Sequence, residues 1–108
     1  MAKDGYLGEF EQMLMLAALR LGEEAYGAAM SAELEAQVGR RVSRGAVYIT
    51  LDRLEAKGLL SSRMSPPRAE RGGRPRRMIS VTPEGVRALR DSRAALETLW
   101  DGVEALEG

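Results

Sequence analysis

The chain has 108 residues, room for one domain with one core and a short appended element, and it contains neither cysteine nor histidine. That composition excludes a disulfide framework, a thiolate zinc site and any Ser-His or Cys-His nucleophile. Sixteen basic and sixteen acidic side chains sum to zero but are segregated: residues 1–39 hold two basic and seven acidic, residues 40–77 eleven basic and three acidic, residues 78–108 three basic and six acidic. The middle third thus carries a surplus of eight positive charges between two acidic flanks, a distribution that a polyanionic partner senses. No apolar run approaches the roughly 20 residues that span a bilayer. Met1 to Gly5 lack the basic-then-apolar order of a signal peptide. A cytoplasmic protein with no membrane partner is the default expectation.

In chain order, Phe10, Met13, Leu14, Ala17 and Leu21 form one apolar stripe and predict a helix over 9–21. Leu16 and Leu19 widen the stripe, which places this helix at the centre of the core, and Gly22 ends it. A second helix is expected from Tyr26 to Val38, with Met30, Leu34 and Val38 inward, Gly39 as its C-cap and Tyr26 packed at its start. After Arg40-Arg41-Val42, Ser43 is the N-cap of a third helix. Its buried face is Val47, Leu51 and Leu54, and Gly58 followed by Leu59 ends it. Helix, short turn, helix is the layout of a helix-turn-helix.

Leu59–Met64 and Arg76–Val81 read as two short strands. Between them, prolines and the pair Gly72-Gly73 prevent regular structure, so residues 65–75 form a long hairpin tip. An arginine-rich hairpin directly after a helix-turn-helix is a wing. Thr82-Pro83-Glu84 starts a last helix with a hydroxyl cap, a proline at the first helical position and an early carboxylate. This helix is expected to run to about Leu106, with Val86, Leu89, Leu96, Trp100 and Val103 on one stripe and Ala88, Ala95, Leu99 and Leu106 on a neighbouring one. Two apolar seams at the end of a small domain need more cover than that domain supplies. A homodimer is the simplest source of it; the alternative is that both seams fold back on the first helix. The expected fold class is mostly α with a small β-hairpin: a winged helix-turn-helix in residues 1–82 and a C-terminal dimerisation helix in residues 83–108.

The second helix of a helix-turn-helix enters the major groove with its N-terminal end. Here that helix presents Arg44, Gly45, Tyr48 and Asp52 opposite its buried face. Arg44 is placed to pair with guanine O6 and N7, and Ser43 with the free N–H groups beside it to hold a phosphate. Tyr48 donates to a phosphate or else packs against the wing. Asp52 repels phosphate and is expected to pair with a nearby arginine, while Arg53 and Lys57 read as surface or ion-pair residues. In the wing, Arg71 and Arg74 reach a minor groove or its flanking phosphates. Arg76 and Arg77 alternate on a strand, so at most one faces DNA. The candidate surface for double-stranded DNA is therefore Ser43, Arg44, Gly45, Tyr48, Arg71, Arg74 and Arg76. The other reading of this basic surface is a protein-interaction module that meets an acidic partner. No catalytic residue, metal ligand or cofactor is expected. The carboxylates lack a base at useful spacing, and Gly72-Gly73-Arg74-Pro75 lacks the Gly-Lys-Ser/Thr end of a phosphate loop.

Several blocks occur in a telling order: Leu7-Gly8-Glu9-Phe10-Glu11, Ala25-Tyr26-Gly27, Gly39 through Tyr48, Thr50 through Leu59, Gly72 through Arg77, and Val81-Thr82-Pro83-Glu84-Gly85. With them the chain resembles the PadR family of transcriptional regulators, in its short subgroup with one C-terminal helix, over about residues 6 to 90. The stretch Tyr48 to Leu59 is the most specific part. The resemblance implies a winged-helix dimer, closed by its C-terminal helices, that represses transcription at a palindromic operator. In some relatives, phenolic acids or cationic drugs release the DNA. Drug-responsive relatives stack flat ligands on aromatics of the last helix, which gives Trp100 a second reading beside plain dimer packing. With Leu96 as an apolar wall and Glu104 as an anionic edge, it would line a pocket between subunits for a planar aromatic or cationic small-molecule effector. One departure stands out: Met78-Ile79 occupies the place where the family often has two aromatics on the second wing strand, which bears on any ligand or packing role those aromatics carry.

Overall fold

The computed structural model describes residues 5–66 and 73–103. Its elements are α1 (Glu9–Leu21), a 3-10 turn (Gly22–Glu24), α2 (Gly27–Val38), α3 (Arg44–Ala56), β1 (Leu60–Met64), β2 (Arg77–Val81) and α4 (Pro83–Trp100). The three helices of the expected helix-turn-helix region and both strands stand within a residue of where the sequence pattern places them.

α1 begins where the Glu11 carboxylate accepts the Gly8 N–H at 2.9 Å, one of the donors every helix start leaves unsatisfied. It touches α2, α3, β2 and α4 and is the central element of the core. Its buried residues are Leu14, Met15, Ala17 and Ala18. Leu16 and Leu19 do not join them: they remain 47% and 46% exposed, on a side of α1 that the protomer leaves open. α2 contributes Met30 and Leu34 to the core, but Val38, expected inward, is 59% exposed at the last turn. α3 adds Val47, Leu51 and Leu54, and the strands add Leu60 and Ile79.

Local hydrogen bonds explain the joints. Ser43 Oγ accepts the Ala46 N–H at 3.0 Å and caps α3. At the other end of α3, Gly58 takes a left-handed conformation (φ +79°) and lets the Leu59 N–H reach back to the Leu54 carbonyl. β1 and β2 pair antiparallel, from Leu60 opposite Val81 to Met64 opposite Arg77. The residues before α2 form a partial third rung: Tyr26 bridges Met78, and the Ile79 N–H donates to the Ala25 carbonyl at 2.8 Å. The hairpin is thereby tied to the start of α2 as well as to α3.

α4 starts against this joint. Thr82 Oγ1 donates to the Gly58 carbonyl at 2.7 Å and accepts the Gly85 N–H at 3.0 Å. Gly85 is buried so closely that a Cβ there would overlap the Leu59 carbonyl oxygen and stand 2.7 Å from Val81 Cγ1. Further along, Leu89 joins the core, and buried Ser92 accepts the Leu7 N–H at 3.0 Å. Past Ser92 the large apolar side chains of the helix are open: Leu96, Leu99 and Trp100 are 51%, 73% and 50% exposed. Along the two apolar seams, Leu89 is buried and Ala88 and Ala95 are half-buried, while Leu96, Leu99 and Trp100 stand open. The helix ends at Trp100, earlier than the apolar pattern suggests, where Asp101 (φ −57°, ψ 122°) leaves helical backbone and Gly102 takes φ +83° in a turn. Leu106 lies outside the described residues.

Candidate nucleic-acid interface

The start of α3 is open. Ser43, Arg44, Gly45 and Ala46 are exposed. Ser43 spends its acceptor on its own helix, which leaves its hydroxyl proton for an outside partner. Arg44 has no carboxylate within ion-pair distance among the described residues. A side chain at Gly45 would meet nothing within 4 Å. Tyr48 packs on α2. Its ring lies over the first residue of α2, where a Cβ on Gly27 would stand 3.0 Å from the Tyr48 hydroxyl oxygen and 3.2 Å from Cζ. Arg44 and Tyr48 share a cleft of about 240 Å³ with Gly27, Ala28, Ser31, Val42 and Val47, between the starts of the two helices.

At the base of the wing, the two neighbouring arginines part company. The Arg76 guanidinium sits 4.1 Å above the centre of the Tyr26 ring, a cation–π arrangement that holds the charge in place without neutralising it. Arg77 turns the other way and clamps α3, donating to Asp52 at 2.9 Å and to Glu55 at 2.8 Å. Ser62 Oγ donates to the same Glu55 oxygen at 2.8 Å. The hydrogen bond from Arg77, with help from Ser62, holds the Glu55 carboxyl below its ordinary range despite some burial. Reciprocally, Glu55 and then Asp52 raise the Arg77 guanidinium against the effect of its own burial. Asp52 thus has the arginine partner expected of it. Tyr26 and Gly27, consecutive residues, carry Arg76 of the wing and Tyr48 of α3 respectively, so one joint places both. Arg74 is exposed, three residues before β2; Arg68, Arg71 and Gly72 lie outside the described residues.

The cationic block is neutralised in part by the acidic flank that precedes it in sequence. Arg40 bonds Glu9 at 2.8 Å and stacks 5.0 Å over the Phe10 ring. Arg41 meets Glu35 at 3.1 Å, and Arg53 and Lys57 converge on Glu11 at 3.4 and 3.6 Å. Partial burial pushes the Glu11 carboxyl up, but the Gly8 N–H, Lys57 and Arg53 together outweigh it and hold the group below its ordinary value. Arg40, Arg41, Arg53, Lys57 and Arg77 are thus committed within the chain. Arg44, Arg63, Arg74 and Arg76 have no carboxylate partner among the described residues. Of the described candidates, Ser43, Arg44, Gly45, Tyr48 and Arg76 gather around the first turns of α2 and α3. The Tyr26 platform and the Gly27 contact are new. A glycine at the start of a helix behind an aromatic was the signal available in the sequence. Ile49 on α3 is also exposed, at 64%, and no pattern in the sequence singled it out.

Leu96 and Trp100, one turn apart on α4, are both half exposed. Glu104 lies outside the described residues. Among the described residues no three carboxylates gather as a metal site, and no helix is long and apolar enough to cross a membrane.

Comparison with known proteins points one way. Residues 15–91 match the Transcriptional regulator PadR-like family. The transcriptional regulator Rv3488 of Mycobacterium tuberculosis is 46% identical over 76 residues, covering 70% of this chain; the match spans 66% of that relative's length. A PadR family transcriptional regulator from Eggerthella lenta shares the fold with a TM-score of 0.67 and 35% identity, over 91% of this chain and 85% of the other. A PadR-like transcription factor from Bacteroides fragilis gives a TM-score of 0.72 and 26% identity, over 90% and 88%.

Proposed function

The chain belongs to the PadR-like family of transcriptional regulators, which are not enzymes, and from that membership we propose that it is a DNA-binding repressor acting as a homodimer on a palindromic operator. The observation that carries this reading is the shared surface at the starts of α2 and α3. There, Arg44, which has no carboxylate partner among the described residues, stands beside Tyr48, and Tyr26 holds Arg76 of the wing at the same joint. One element suited to the major groove and one suited to backbone or minor groove are thus fixed relative to each other. The exposed Leu96, Leu99 and Trp100 support a second copy of the chain as partner, since together they form an apolar surface that water covers poorly. A two-fold dimer presents two copies of α3, which matches a palindrome. Such a regulator works in the cytoplasm. Leu96 and Trp100 also support a place for a planar aromatic or cationic effector between subunits, tested by quenching of the Trp100 fluorescence with planar cationic dyes and by calorimetric titration of the same dyes, in which binding should be lost in Trp100→Ala.

The direct test is duplex binding across a salt series. A dimer that neutralises about six to ten phosphates loses roughly 10³- to 10⁵-fold in affinity between 50 and 200 mM salt. A flat response, or sedimentation as a monomer at micromolar concentration, overturns the reading.

A further inference from the structure

The outward face of α3 holds one residue without a role so far. Val47, Thr50, Leu51 and Leu54 are buried; opposite them, one turn apart, stand Gly45 and Ile49. The polar neighbours of Ile49 are committed: Asp52 to Arg77, Arg53 to Glu11, and the ring of Tyr48 to Gly27. Gly45 has open space where a side chain would be, so the helix backbone can approach a groove floor closely at that turn. Ile49 is then the next side chain to project, 64% exposed and wholly apolar. A β-branched residue in a helix has one strongly preferred rotamer, so little freedom is lost when it is pressed against a surface. On the floor of the major groove the apolar feature is the C5-methyl of thymine.

We propose that Ile49 is a specificity-determining residue that reads a thymine through its methyl group, in the same half-site in which Arg44 meets guanine. This rests on the DNA-binding reading and deepens it: Arg44 supplies a hydrogen-bonded pairing, and Ile49 supplies a contact that no hydrogen bond can mimic.

The experiment uses the full chain and the best duplex selected from a random library at fixed salt. Each thymine is replaced in turn by deoxyuridine, which removes the methyl and nothing else. For the wild-type chain, one position per half-site weakens binding about fourfold, the effect of burying one methyl-sized group. Ile49→Ala, at an exposed site, keeps the wild-type melting temperature, loses the preference for thymine at that position and no longer distinguishes deoxyuridine there. Ile49→Val, which keeps the branch, retains part of the discrimination. If wild-type binding is specific yet indifferent to every deoxyuridine, or if Ile49→Ala responds to deoxyuridine as the wild type does, the Ile49 inference falls and the DNA-binding reading stands. If selection yields no duplex bound better than random DNA, the reading itself falls and takes the inference with it.

Discussion

α3 and α4 are both amphipathic helices that bury one face in the same core, yet what they leave outside differs in kind. α3 buries Val47, Leu51 and Leu54 along its length and exposes Arg44, Gly45 and Ile49 at its start. α4 divides along its axis instead. Gly85, Leu89 and Ser92 are in the core, whereas Leu96, Leu99 and Trp100 are out of it. The lesson is about what an open face can meet. A helix start with an uncommitted guanidinium gains most from a polyanion; an apolar helix end gains most from another apolar surface. One core thus holds two surfaces with separate chemistry, and substitutions should separate them.

The largest effect is expected where α4 joins the core. Gly85→Ala places a Cβ onto the Leu59 carbonyl oxygen. A backbone atom cannot yield as a flexible side chain does, so stability should fall by about 3 kcal/mol. Thermal unfolding measures it, and an unchanged melting temperature would show that the α4 start is not clamped. Leu99→Glu tests the outer half alone. A charge at the most exposed apolar position of α4 should raise the dimer dissociation constant at least tenfold, about 1.4 kcal/mol or more. The helical circular dichroism signal should stay intact, and sedimentation equilibrium reads the association. On α3, Arg44→Ala should cost about 1–3 kcal/mol on the best duplex and relax base preference there. Arg74→Ala should weaken all duplexes alike, and a uniform loss from both would place Arg44 on the backbone rather than on a base.

The smallest effect is on pH dependence. The Glu11 carboxyl is held below its ordinary value in the folded chain. Its contribution is therefore fully present above the unfolded-chain value of about 4.3 and is lost as pH falls through the lower folded value. Acid titration of wild type against Glu11→Gln should show a shallower loss of stability below that point in the variant. Equal slopes would mean that the Arg53 and Lys57 pairs are too well solvated to matter.

The helices and hairpin were legible because their signals are local: apolar spacing, a hydroxyl before each of α3 and α4, glycines after α2 and α3. The interior was only partly legible. Periodicity alone drew Leu16 and Leu19 into the core and left out Met15 and Ala18, because it tells the width of a stripe but not which edge meets a neighbour. Val38 failed similarly, since the core stops short of the last turn of α2. The contacts that organise the candidate site are long-range. Nothing in a linear pattern says that Arg76 will rest on Tyr26, that Tyr48 will lie over Gly27, or that Glu11 will gather Arg53 and Lys57. The expectation for Asp52 succeeded because an exposed carboxylate among clustered arginines is drawn to the nearest of them.

The internal pairing of Arg40, Arg41, Arg53, Lys57 and Arg77 bears on how fast a regulator finds its target. Each lysine or arginine laid on a phosphate deepens attachment to DNA of any sequence, and a genome offers about 10⁶–10⁹ such decoy positions. Were all these cations free, the chain would dwell on each decoy and sample few per second. With five of them already answered by carboxylates, the proposed binding mode has a looser hold on random DNA and leaves Arg44, Arg74 and Arg76 for the right site. On the proposed binding mode, carboxylates turned onto the basic block would thus shorten the search for the target.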